Sequence, residues 1–237
     1  MGHRLSGLDV PEPHTLIDPT LPEGTEMERM AALYLAVADA VAADGEVPSV
    51  YAGDCCVILP VIAGLQRKGL DPVIFFFDAH GDFNTWETTP SQFIGGMPLA
   101  MATGRGEMTI ADACDMEPLP DEDAILVDGR DLDPEEARAL DDSGVAVVDV
   151  ADIAARIPAD RPLYVHVDVD VVDPADLPAI NYPAPDGPSL DSVAAAVATL
   201  AATGQVVAYS ASTWNPALPE AAIAAAATNR LSAPFLP

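Results

Sequence analysis

Val73-Ile74-Phe75-Phe76-Phe77-Asp78-Ala79-His80-Gly81-Asp82 is the stretch that decides the fold of this chain. An unbroken apolar run after Pro72 reads as a strand buried on both faces, which is the mark of a parallel sheet covered by helices. It runs directly into two aspartates and a histidine, Asp78, His80 and Asp82. A second stretch repeats the pattern: Pro162–Val165 leads into His166-Val167-Asp168-Val169-Asp170-Val171-Val172-Asp173-Pro174. Carboxylates are rarely left unpaired against a core. Two such clusters at the ends of different strands, with an imidazole among them, point to shared cations. Oxygen-rich sites with few imidazoles suit manganese or magnesium better than copper or structural zinc.

Outward from these strands the chain alternates. Pro48–Ala52, Ala124–Val127, Val145–Val148, Leu163–Val167 and Gln205–Ala211 read as further strands. Helices are predicted at Thr25–Ala43, Val57–Lys68, Pro134–Ser143, Val150–Ile157, Ser189–Ala202 and Pro219–Leu231. Residues 1–24 read as an irregular leading segment, and a long loop is expected from Asp78 to Pro98. The alternation predicts an α/β class fold, a three-layer α/β/α arrangement with a mainly parallel central sheet. No linker divides it, so one domain over residues 1–237 is expected. In such sheets ligands bind at the carboxyl ends of strands, where both aspartate clusters lie.

Composition limits the function. The 237 residues carry 38 Asp and Glu against 10 Lys and Arg, a net charge of −28, and Lys68 is the only lysine. That argues against nucleic acid or an anionic membrane as a partner. No apolar run reaches membrane-spanning length. Cys55, Cys56 and Cys114 are few and odd in number, which fits a reducing, cytoplasmic location without a disulfide framework.

These motifs resemble those of the arginase (ureohydrolase) superfamily, whose members hydrolyse guanidino groups with two manganese ions. The likeness runs from about residue 48 to the C-terminus. It implies that Asp78, His80, Asp82, Asp168 and Asp170 are metal ligands, and that Asp82 also orients the attacking water. The family's Gly-Asp-His is Gly53-Asp54-Cys55 here, so Cys55 stands at a ligand position, and one of the two Mn²⁺ sites is expected to be weak because thiolate is soft. Either that or a small buried hydrophobe accounts for Cys55. The loop Asp82-Phe83-Asn84-Thr85-Trp86-Glu87-Thr88-Thr89-Pro90-Ser91 is similar to the arginase loop that holds a substrate α-carboxylate. Carried over, the contacts are Asn84, Thr89 and Ser91, with Asp133 for the α-ammonium. Asp131–Glu136 is also a good helix start.

Two departures bear on the substrate. The family's proton-shuttling histidine is absent at Gly95, and the late glutamate that pairs with the guanidinium is Thr213. Ordinary arginine hydrolysis should therefore be poor. Cys55, Gly81–Thr89, Gly95–Met97 and His166 are similar to the branch of the family that hydrolyses Nω-hydroxy-L-arginine. The expected function is a metal-dependent hydrolase acting on the linear guanidine or amidine C–N bond of an α-amino acid, giving ornithine and hydroxyurea. Asp82 and His166 are the expected catalytic groups, and Thr213 a substrate contact. A degenerate relative that binds metal or amino acid without turnover is the alternative. Relatives are often oligomeric, which implies a homo-oligomer.

Overall fold

A computed structural model describes Leu8 and residues 14–236. Its centre is a six-stranded, wholly parallel sheet of β1 (Ser49–Tyr51), β2 (Val73–Asp78), β3 (Ala124–Asp128), β4 (Ala146–Val148), β5 (Leu163–Asp168) and β6 (Val206–Ser212). The spatial order is β1-β6-β5-β2-β3-β4. The two strands that carry the aspartates, β2 and β5, are thus central neighbours, paired from Val73↔Leu163 to Phe77↔Val167. Every residue of both strands is buried.

The strand period of two sorts side chains onto two cores. Ile74, Phe76, Leu126 and Tyr164 face α1 (Glu26–Ala43), α2 (Ile58–Arg67), α3 (Pro98–Ala102), α4 (Thr109–Ala113) and α5 (Pro134–Asp141). Phe75, Phe77, Val165 and Val167 face α6 (Leu190–Ala201) and α7 (Ala221–Ser232). The expected three-layer α/β/α arrangement is therefore what forms. Helix α1 begins where the sequence says it should, with Thr25 accepting from Glu28 N and Glu28 returning the bond to Thr25 N at 2.7 Å.

Three readings differ in detail. The helix expected at Val150–Ile157 is a 3-10 helix over Val150–Arg156. Only Ile153 of that segment is buried, so a three-residue repeat serves it as well as an α-helical face. The helices α3 and α4 follow the long loop, in a stretch for which the sequence predicts no element, and five residues each is too short for a periodic signal. Most of the leading segment before residue 14 lies outside the described residues; 14–24 carry no helix or strand.

Candidate metal centre and substrate pocket

The carboxyl ends of β2 and β5 converge because the strands are paired in register. Two donor groups result. Cys55, Asp78 and Asp82 offer ligand atoms within 4.8 Å of one another, and so do Asp78, His80 and Asp170. Asp78 belongs to both, so the arrangement is that of two adjacent cation positions sharing a carboxylate. Asp168 joins them through Cys55, whose Sγ lies 2.8 Å from Asp168 Oδ2 and 3.9 Å from Asp78 Oδ2. His80 Nδ1 sits 3.3 Å from Asp78 and 3.2 Å from Asp170.

Local backbone geometry aims these groups. Asp82 has a left-handed φ of 47°, a conformation that Asp tolerates better than most residues. Its carbonyl accepts from Leu99 N at 3.0 Å and Ala100 N at 3.1 Å, so the first turn of α3 anchors the loop. Gly81 precedes it because a Cβ there would fall 2.6 Å from Glu136 Cδ. The buried Glu136 carboxylate accepts from Phe83 N at 2.8 Å and from Asp133 N at 3.1 Å, tying the β2 loop to the start of α5. Asp168 Oδ1 accepts from Asp170 N at 2.9 Å, and Asp170 Oδ1 from Ala79 N at 3.3 Å. Asp54 does not enter the cluster: it caps the turn through Cys56 N and accepts from Tyr34 of α1 at 2.7 Å.

The electrostatics call for cations. Burial, then repulsion from Asp168, raises Asp78 to about 6. Burial and Asp78 raise Asp170 to about 6. Burial, then neighbouring aspartates, pushes Asp82 and Asp168 well above the carboxylate range. Burial and Asp168 do the same to the Cys55 thiol. Burial opposes the charge on His80, but hydrogen bonds donated to Asp170 and Asp78 outweigh it and lift the imidazole to about 12. Without a metal, protons sit where a divalent ion would do better. The donor set of oxygens, one imidazole and one thiol fits a hard divalent cation with one softer contact.

On the substrate side, Asn84 Nδ2 donates to Asp133 Oδ2 at 3.0 Å, and Thr89 and Ser91 hydroxyls lie 3.1 Å apart. Asn84 and Thr89 are buried and Ser91 is exposed. At Gly95 a Cβ would collide with the Phe93 ring, which lies tilted against Tyr182 with ring centroids 5.8 Å apart. The Phe93 ring thus fills the space that a side chain at residue 95 would need. Thr213, at a φ of 79°, turns its hydroxyl to the Asp168 carboxylate and the Ser212 carbonyl. His166 is fully buried beneath the cluster, stacked on Phe76 at 4.8 Å with Nδ1 2.7 Å from Ser210 Oγ. Burial pushes its pKa down to about 3. Sequence reasoning passed over Ser210 and Ser212. Their signal is a pair of serines two apart in the strand Val206–Ser212, opposite His166 and Asp168. It also passed over Arg130, which binds the Asp128 carboxylate and donates to the Val171 carbonyl at 3.0 Å and the Ala184 carbonyl at 2.7 Å.

Comparison with known proteins gives a consistent picture. The model of the Arginase family matches residues 14–236. The chain is 36% identical over 137 residues to an N(omega)-hydroxy-L-arginine amidinohydrolase of Streptomyces lavendulae, covering 56% of this chain and 48% of that one. It is 29% identical over 153 residues to an arginase of Bacillus subtilis, covering 59% and 52%. The chain thus spans about half the length of the curated relatives it matches. Among solved structures, arginase from Bacillus cereus superposes with a TM-score of 0.82 at 25% identity, over 89% of this chain and 79% of that one. Entamoeba histolytica arginase in complex with L-ornithine gives 0.81 at 22% identity, over 92% and 82%, a likeness of fold.

Proposed function

The chain belongs to the arginase family, and from that premise we propose that it is a metal-dependent amidinohydrolase cleaving the guanidino C–N bond of Nω-hydroxy-L-arginine to give L-ornithine and hydroxyurea. The observation that carries the reading is the pair of donor groups sharing Asp78, set beside the bonded Asn84–Asp133 pair. Cys55, Asp78, His80, Asp82, Asp168 and Asp170 would hold two Mn²⁺ ions, the position nearer Cys55 being the weaker. When bound, such ions supply Lewis-acid activation of water at neutral pH.

The chain's own residues do the rest. Asn84, Thr89 and Ser91 present neutral donors to the α-carboxylate, which suits an anion entering an acidic site. Asp133 takes the α-ammonium. Asp82, buried at the mouth of the cluster, accepts a proton from the attacking water and returns one to the leaving amine. Water adds to the guanidino carbon, the bond to the ornithine nitrogen breaks, and that nitrogen leaves as the amine. The absence of a carboxylate at Thr213 favours a head group less basic than guanidinium, and the hydroxyl of an N-hydroxyguanidine lowers basicity in that sense. The partner is a small amino acid; the location is the cytoplasm, in keeping with three unpaired cysteines. Among the described residues no helix is long and apolar enough to cross a membrane.

The test is to incubate manganese-loaded protein with L-arginine and with Nω-hydroxy-L-arginine and to quantify ornithine. Ornithine from the hydroxylated substrate in large excess over arginine is the expected result. Ornithine from neither rejects the proposal.

A further inference from the structure

A line of buried side chains runs behind the metal cluster between β5 and β6, and none of them has a role in the reaction described above. Tyr164 and His166 project from β5 toward the same face as Asp168; Ser210 and Ser212 project beside them from β6. All four are fully buried. The Tyr164 hydroxyl lies 2.6 Å from Ser210 Oγ, Ser210 Oγ 2.7 Å from His166 Nδ1, His166 Nε2 3.4 Å from Ser212 Oγ, and Ser212 Oγ 3.0 Å from Cys55 Sγ.

The direction of every bond follows from the first. Among the described residues Tyr164 has Ser210 as its one side-chain partner, and a buried hydroxyl hydrogen needs an acceptor. Tyr164 therefore donates to Ser210. A serine has one hydrogen, so Ser210 donates it to His166 Nδ1. His166 is sealed from water and makes no carboxylate contact, so it stays neutral, and with Nδ1 accepting its proton is on Nε2. Nε2 donates to Ser212, which leaves the Ser212 hydrogen for Cys55.

We propose that Tyr164, Ser210, His166 and Ser212 are positioning residues that aim one hydroxyl hydrogen at the Cys55 sulfur and so set its orientation and donor strength toward a metal. A hydrogen bond to the ligating sulfur withdraws charge from it, which suits a hard cation. Partners of this kind behind a ligand commonly change metal affinity about 10- to 100-fold when removed. His166 then acts through Cys55, at one remove from the substrate. The proposal rests on Cys55 being a ligand, and its test separates the two ideas.

The first measurement is ¹⁵N NMR of histidine side chains in the metal-free, unaltered protein. His166 as the Nε2–H tautomer is expected; the Nδ1–H tautomer overturns the proposal. The second is the sulfur-to-metal charge-transfer band of cobalt-substituted protein. Ser212→Ala should move that band to longer wavelength and weaken cobalt binding about 10-fold or more, and Ser212→Thr, which keeps the hydroxyl, should restore both. A Ser212→Ala protein with an unchanged band and affinity overturns the proposal. A band missing from the unaltered protein rejects Cys55 as ligand and overturns the proposal, while the ornithine assay decides the amidinohydrolase reading separately.

Discussion

Stripping the divalent metal should make this protein lose stability as pH rises through the range in which most proteins are steady. Asp78 and Asp170 titrate near 6 in the folded, metal-free state, against 3.8 for the ordinary group. Between those values the folded chain binds more protons than the unfolded one, so the stability contribution is present below about pH 4 and falls as pH rises to about 6. One such shift is worth roughly 3 kcal/mol. The two carboxylates face a common neighbourhood with Cys55, Asp82, Asp168, His80 and Glu136, so their combined effect is on the order of 3–6 kcal/mol and not a strict sum. His80 acts in the same sense: its folded value, about 12, lies above the unfolded one, so its stabilisation is full below about pH 6.5 and fades above it. A bound cation replaces those protons and removes the penalty. Urea unfolding of chelator-treated and manganese-loaded protein, at steps from pH 4.5 to 8, isolates the site, because surface repulsion from the net charge of −28 is common to both. The gap between the two curves should widen by roughly 3 kcal/mol or more across that range. A gap that does not change with pH would refute the account of the site as a proton-filled metal cradle.

Glu136→Ala removes the acceptor of two backbone N–H groups, those of Phe83 and Asp133, and should cost about 2–5 kcal/mol in urea unfolding, with Glu136→Gln costing less than half as much. Thr213→Glu restores a carboxylate where a guanidinium would lie; the ratio of kcat/KM for arginine over hydroxyarginine should rise about 10- to 100-fold, and an unchanged ratio rejects the head-group argument. Gly95→His has to displace Phe93 from Tyr182, so thermal unfolding should register a loss of about 1 kcal/mol that disappears when Phe93→Ala is introduced beforehand.

Local composition was enough to place the buried strands along the chain. Val73–Phe77 and Leu163–Val167 are apolar at every position but one, and only a sheet covered on both faces hides such runs. It determined most helix ends as well, because Thr25, Gly69 and Ser189 are local signals of start and stop. Acidic groups attached to those strands were legible as a cation site for the same reason: charge at the mouth of a core demands a partner. Tertiary structure alone decided which of them meet. The β2–β5 pairing joins segments far apart in the chain, and only then does Asp78 serve two donor groups while Asp54 turns away to Tyr34. The same holds for Thr213, where a positive φ sends the hydroxyl to Asp168, and for Ser210 and Ser212, ordinary strand residues until β6 lies against β5. Hydrogen-bond partners are set by register and backbone direction between strands, which no local run of residues encodes.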